Sequence, residues 1–245
     1  MKDPDVRIVV HLSRGQAEVS LDLSGAPLYR RGYRTSVKDA PLKETLAASM
    51  LALGEASPDL PFRDPLCGSG TLAVEHALLA RRIAPGLRRA FGFQRWPRYR
   101  GEWQSAWDRM KEEARAIALP RAPAPIRASD RSGNAIEAAR RNARAAGVEA
   151  DVEIAPGEAR DAEPFAEQGT LCTNPPYGER IGGQPLQLGG FYRGLGEAFR
   201  RFHGWSLLVL SGNPLLERNL GIRPEWSHRL WNGPLEVNLI RCRVP

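Results

Sequence analysis

The chain has 245 residues, 42% of them hydrophobic and 26% charged, and a formal net charge of +7. That is the balance of an ordinary globular protein of one or two domains. Its 24 glycines and 20 prolines fall short of a low-complexity composition, and no apolar run approaches the ~18 residues of a membrane span. The N-terminus leads into no apolar signal segment. Cys67, Cys172 and Cys242 have the spacing of neither a disulfide framework nor a zinc site, so a reduced, cytoplasmic protein without a metal is expected.

Residues 6–12 and 16–23 are short β-prone runs around Ser13-Arg14-Gly15 and predict a hairpin. A basic connector runs from Tyr29 to Ala40, and Pro41 opens a helix whose Leu42, Thr45, Leu46, Ser49 and Leu53 share a face, with Gly54 closing it. Strand and helix then alternate: strand 60–66, helix 69–82, a helical insertion over 103–119, strand 126–130, and helix 134–146 with Gly147 just past its end. Strands 151–155 and 170–174, helix 188–202, strand 205–211 and a short helix near Leu215 follow, and 226–230 with 235–243 form a closing antiparallel pair. This order predicts an α/β fold, a doubly wound and mostly parallel Rossmann-like sheet of seven strands. In such a sheet ligands bind beyond the C-terminal ends of the strands.

Four strand ends carry unusual residues. The first is Asp64-Pro65-Leu66-Cys67-Gly68-Ser69-Gly70-Thr71. Its Gly-Ser-Gly turn lets backbone approach a ligand and presents N–H groups at a helix start. Ala73 replaces the third glycine of a dinucleotide site, and Asp64 would repel a pyrophosphate. A carboxylate there suits a cationic ammonium, such as the methionine end of S-adenosylmethionine. The second is Asp130, placed to accept both hydroxyls of a ribose or to serve the next helix as an N-terminal acid. The third is Glu158, which could accept from an adenine amine, with Asp161 as its competitor. The fourth is Asn174-Pro175-Pro176-Tyr177. The prolines stiffen the turn and free carbonyls from neighbouring N–H groups. Asn174 and the Pro175 carbonyl can accept from both N–H groups of a planar aromatic amine, turning its delocalised lone pair toward an electrophile, while Tyr177 stacks on its ring. Asn174 is no strong base, so the proton must leave to solvent or another acceptor.

A further basic stretch, Arg88, Arg89, Arg95, Arg98 and Arg100 among Phe91, Phe93, Trp96 and Tyr99, pairs phosphate-binding guanidinium groups with stacking rings and suits nucleic acid. Against these stand blander residues. His76, in a nearly all-apolar helix, reads as a hydrogen-bonded core histidine, Cys67 has no paired base and is no nucleophile, and Arg140, Arg141 and Arg144 read as a solvated helix face.

Residues 64–71 and 174–180 resemble motifs I and IV of the class I S-adenosylmethionine-dependent methyltransferases that act on exocyclic amines. Ser24-Gly25, Arg31-Gly32-Tyr33-Arg34 and residues 40–48 are similar to the lead-in segment of the THUMP-associated RNA guanine-N2 methyltransferases. Residues 83–87, 91–93 and Trp96 are similar to the insertion of that family after motif I, and residues 232–236 to its closing hairpin. The likeness is greatest to members acting on 23S ribosomal RNA. It implies methyl transfer to N2 of a guanine in RNA. Asp64, Cys67, Gly68, Ser69, Gly70 and Thr71 would then lie around the cofactor, Asp130 at its ribose and Glu158 near its adenine. Lys43, Glu44 and Thr45 would lie near its methionine, and Asn174 to Tyr177 at the target base, with Arg180 among the RNA contacts. It also implies a division into a hairpin and linker over 1–36, a remnant of a THUMP-type RNA-binding domain, and a methyltransferase domain over 37–245 with an insertion at about 84–119. Targeting would come from the rest of that domain or from a partner. Transfer-RNA guanine, adenine N6 and the side-chain amide of a protein glutamine fit the same motif, and a catalytically silent RNA-binding scaffold is the alternative of another class.

Overall fold

The computed structural model describes residues 4–34, 42–178 and 185–245, with no account of the side chains of 185–187. Strands β1 (Arg7–Ser13) and β2 (Gln16–Asp22) form a separate antiparallel ribbon. Ser13 pairs with Gln16 around the two-residue turn Arg14-Gly15, both at positive φ, the turn geometry that matches strand twist. The ribbon is solvent-exposed on both faces along β1. It reaches the rest of the fold through Asp22, whose carboxylate accepts from Ser24 and Gly25, and through a close approach of Gly25 to Gly92. The expected boundary at 36/37 and the helix start at Pro41 lie outside the described residues.

Helix α1 (Glu44–Leu53) leads to β3 (Phe62–Asp64) and α2 (Thr71–Ala80). The insertion contains two short 3₁₀ turns and α3 (Glu102–Ala116), held by edge-on contacts of Trp107 with Phe91 and Phe93. Next come β4 (Ile126–Asp130), α4 (Gly133–Ala146), β5 (Val152–Pro156), β6 (Thr170–Thr173), α5 (Pro185–Phe199), β7 (Ser206–Ser211), α6 (Pro214–Leu220), β8 (Pro224–Asn232) and β9 (Leu235–Arg243). The seven-stranded sheet has the order β5-β4-β3-β6-β7-β9-β8. Strands β3 to β7 are parallel, and β9 runs antiparallel between β7 and β8.

Alternation along the strands sends side chains to two cores. Phe62, Ala128, Cys172, Leu208 and Leu210 pack with α1, α2 and α4, while Leu171, Leu207 and Val209 pack with α5 and α6. The expected doubly wound sheet is present, with differences at element ends. The strand expected over 60–66 is only three residues, because Pro65 lacks an N–H and the Asp64 carboxylate takes the next one, that of Leu66, at 3.2 Å. The helix expected over 188–202 is described over Pro185–Phe199, ending three residues sooner than expected. Gly54 closes α1 without a left-handed φ. It is required because a Cβ there would stand 2.3 Å from Leu208 Cδ1. Gly147 is left-handed, as expected for the end of α4.

Candidate functional site

Strand order reverses between β3 and β6: the chain steps from β3 outward through β4 and β5, then returns to β6 on the other side. Such a switch point opens a crevice beyond the strand ends. The loops after β3 and β6 therefore lie side by side, with the end of β4 next to them. Thr173, fully buried, donates its hydroxyl to Asp64 Oδ1 at 3.1 Å, tying the end of β6 to the end of β3.

The loop 64–71 is shaped by two left-handed glycines, Gly68 (φ +52) and Gly70 (φ +79). They serve different needs. A Cβ on Gly70 would stand 2.9 Å from Ala139 Cβ, so its bareness lets α2 approach α4, whereas a Cβ on Gly68 would meet nothing within 4 Å and would enter open space. The Cys67 N–H donates to Ser129 O at 2.9 Å and the Gly70 N–H to Cys67 O at 2.8 Å, closing the turn. Asn142 donates to Ser69 O from α4. Cys67 is buried, which pushes its thiol well up and leaves it an inert neighbour of the loop.

Asp64, expected near the cofactor's cationic end, lies deep at the end of β3. It is 1% exposed, and its Oδ1 is already shared by the Leu66 N–H and the Thr173 hydroxyl. Oδ1 thus helps hold loop and strand together, while no described residue donates to Oδ2. Burial pushes its pKa up to about 7, against the lowering effect of those two hydrogen bonds and of Arg63.

Asp130 ends β4 half-exposed. Its Oδ2 accepts from the Gly68 N–H at 3.0 Å and its Oδ1 from the Ser132 N–H at 2.9 Å. A carboxylate has about four acceptor sites, so two remain for a ligand. Gly157, whose N–H donates to Asp130 O, brings Glu158 to the same edge. Glu158 is half-buried and Asp161 exposed, which favours Glu158 of the two candidates left open above.

In the loop after β6 the Tyr177 hydroxyl donates to Asn174 Oδ1 at 2.6 Å. Tyr192 of α5 donates to Pro176 O at 2.7 Å, and Asn213 Nδ2 to Tyr177 O at 2.9 Å. Among the described residues none donates to Pro175 O. The Tyr177 ring lies against Gly212, where a Cβ would stand 2.6 Å from ring carbons. The supporting residues Tyr192, Gly212 and Asn213 were not legible in the sequence, because only packing brings them to the loop. Burial pushes the Tyr192 phenol up to about 12, keeping it a donor.

Lys43 and Thr45 flank Glu44 at the start of α1. Glu44 is buried and pairs with Arg34, which also reaches Thr71 at 3.0 Å. Beside it Glu75 is buried between Arg31 and the Tyr33 hydroxyl, and its pKa is raised, chiefly by burial. Like Tyr192, Gly212 and Asn213, Arg34 meets the site only through packing.

The arginines expected at RNA divide into two groups. Arg88 donates to Ala145 O at the end of α4, and Arg89 to the carbonyls of Ser24, Ala26 and Pro27 while lying over the Phe91 ring. Both meet the protein's own carbonyls, Arg88 through one nitrogen of an exposed side chain. Arg95 donates to Pro4 O, Trp96 is half-buried, and Arg98 and Arg100 are exposed. Arg180 lies outside the described residues. Arg140 and Arg144 lie on the exposed side of α4 and pair with Glu137 and Glu149. His76 is a core residue stacked on Phe62 at 4.1 Å. Neither ring nitrogen has a partner among the described residues, and burial lowers its pKa to about 3. Its expected hydrogen bond is replaced by ring stacking.

Among the described residues no group of three or more His, Cys, Asp or Glu is placed to hold a metal ion, and no helix is long and apolar enough to cross a membrane. Residues 31–238 match the UPF0020 family, described as the RMKL-like methyltransferase domain. The ribosomal RNA large subunit methyltransferase K/L of Syntrophotalea carbinolica is 44% identical over 100% of this chain and 35% of its own length. The protein of the same name from Aeromonas hydrophila is 42% identical over 99% of this chain and 36% of its own. The chain thus spans about a third of the length of these curated relatives. Among solved structures, SMU.472 complexed with SAH is 35% identical with a TM-score of 0.90, over 98% of this chain and 62% of that one. The chain belongs to the RMKL-like methyltransferase-domain family.

Proposed function

We propose that this chain transfers a methyl group from S-adenosylmethionine to the exocyclic N2 amine of a guanine in ribosomal RNA. One observation carries the reading: the glycine loop after β3 and the Asn-Pro-Pro-Tyr loop after β6 lie beside each other at the switch point, joined by the Thr173–Asp64 hydrogen bond. The names of the large-subunit relatives support ribosomal RNA as the substrate.

The residues fit the cofactor. The open space before Gly68 leaves room for a ligand against the backbone, Asp130 keeps acceptor capacity for a ribose, and Glu158 offers an acceptor to an adenine amine. When bound, the cofactor supplies an electrophilic methyl on a sulfonium. The protein's task is to present the amine. A guanine N2 lone pair is delocalised into its ring, so the amine must be turned and held. Asn174 Oδ1 uses one lone pair for Tyr177 and keeps another for an amine N–H. Tyr192 and Asn213 occupy the neighbouring carbonyls, so the Pro175 carbonyl is the loop acceptor left for the second N–H. The Tyr177 ring is backed by Gly212, which fixes the plane on which a base would stack. Asn174 is too weak a base to hold the proton that the amine must lose, so it passes to solvent or another acceptor.

The test is incubation with methyl-labelled cofactor and ribosomal RNA lacking its modifications, followed by nuclease digestion and mass spectrometry. Label on guanine N2 is expected; label on adenine, on transfer RNA alone or on protein would redirect the assignment. A chain that binds neither S-adenosylmethionine nor S-adenosylhomocysteine would instead be an RNA-binding scaffold.

A further inference from the structure

We propose that Arg34 is a positioning residue for the cofactor loop, making that loop's geometry depend on the segment preceding the methyltransferase sheet; this rests on the cofactor reading above. The Arg34 side chain is only 11% exposed. Its planar fork reaches both helix starts that border the crevice. On one side Nε donates to Glu44 Oε1 at 3.1 Å and Nη2 to Leu42 O at 2.9 Å; on the other Nη2 donates to Thr71 Oγ1 at 3.0 Å and Nη1 to Ser69 Oγ at 3.4 Å. Glu44 begins α1 and Thr71 begins α2.

Three features make this more than packing. Neither helix start has a side-chain cap of its own, since Lys43 makes none and Gly70 has no side chain. The glycine loop between Asp64 and Thr71 is held at two left-handed positions by a backbone with high conformational freedom, so a rigid tether removes entropy that a ligand would otherwise have to remove. A cation at two helix N-termini also opposes both dipoles, a cost that buried Glu44 offsets and that a residue serving helix stability alone would not incur. Arg31, three residues earlier, supplies the contrast: it pairs with buried Glu75 at 3.4 Å and makes no described bond to the loop.

Calorimetric titration of the full chain with S-adenosylhomocysteine tests the proposal. Arg34→Lys keeps the charge and loses the fork, and its affinity should fall about tenfold with circular dichroism unchanged. Thr71→Val removes the loop-side acceptor and should weaken binding by a similar factor. The double variant should be no weaker than the poorer single one, because both changes break one tether. Arg31→Ala should lower the Tm and leave the Kd within twofold. Parent-like affinity in Arg34→Lys, additive losses in the double variant, or an equal loss in Arg31→Ala would each overturn the assignment of Arg34 alone. A parent chain that binds no S-adenosylhomocysteine overturns the cofactor reading, and Arg34's role with it.

Discussion

Replacing Gly68 and Gly70 separately with alanine should divide binding from stability within a single loop. Both residues have positive φ, at +52 and +79, so either alanine pays roughly 1 kcal/mol for a left-handed conformation. At Gly70 a second cost arises. The new Cβ would stand 2.9 Å from Ala139 Cβ and 3.2 Å from Ala139 Cα, and α4 cannot retreat without disturbing the buried Ile136 and Ala143. Overpacking of this kind costs ~1–3 kcal/mol, giving about 2–4 kcal/mol in all. For a chain of this size each kcal/mol moves the Tm by ~2–4 °C, so Gly70→Ala should melt about 5–15 °C lower and Gly68→Ala only a few degrees lower. The order reverses for ligand. The Gly68 Cβ enters open space at the strand ends, and affinity for S-adenosylhomocysteine should fall by about tenfold or more. Differential scanning calorimetry and titration calorimetry on both variants read the two effects. If Gly68→Ala binds like the parent, the space before Gly68 is not where the cofactor lies, and the crevice must be sought elsewhere along the edge.

Asn174→Ala should lower kcat about a hundredfold while the cofactor Kd stays within twofold, checked by single-turnover methyl transfer beside calorimetry. Asp130→Ala leaves the Gly68 and Ser132 N–H groups without their acceptor and should weaken S-adenosylhomocysteine about tenfold; an unchanged Kd would remove Asp130 from the site. Tyr192→Phe deletes the donor to Pro176 O and should cost about 1–3 kcal/mol in urea unfolding together with a drop in kcat. For pH the signs of two buried groups oppose. The Asp64 pKa is raised from 3.8 to about 7, so its contribution to stability is complete below about 4 and is lost as pH rises through 7. His76 is lowered from 6.5 to about 3, so the unfolded chain takes up a proton that the folded one refuses, and stability falls as pH drops below 6.5. Between about 4 and 6.5 these two slopes oppose each other, while buried Glu75, also raised, adds to that of Asp64, so His76→Phe should lose stability on rising pH more steeply than the parent, by up to about 1.4 kcal/mol per pH unit.

Much of the site was legible because its chemistry is contiguous in the chain. A strand followed by Gly-Ser-Gly before a helix, and a strand followed by Asn-Pro-Pro-Tyr, each contain both the functional groups and the reason for their local conformation. Alternation of strands and helices then places both loops on one edge. The residues that escaped notice act across long separations. Arg34 meets Thr71, Tyr192 meets Pro176, and Gly212 lies under Tyr177, and no local pattern marks an arginine, tyrosine or glycine for such a role. The carbonyl partners of Arg88 and Arg89 were equally unmarked, since a guanidinium in sequence looks the same whether a carbonyl at a helix end or a nucleic acid will meet it.

Asp64 carries the larger lesson. A carboxylate at a strand end beside a glycine loop suggests contact with a cation, yet burial places it under the loop, bonded to Leu66 and Thr173. Any influence on a cationic ligand would then act chiefly through the field, which depends on its charge. With its pKa pushed up to about 7 by burial, Asp64 is partly neutral near neutral pH. A cation arriving above the loop favours the ionised form, so binding should release a fraction of a proton. Titrations in buffers of different ionisation enthalpy would detect that release, and affinity should fall as pH drops below 7. Asp64→Asn cannot ionise, so it should bind more weakly and without the pH dependence. If instead the variant keeps both the parent's affinity and its pH profile, the carboxylate does nothing but hold β3 to β6.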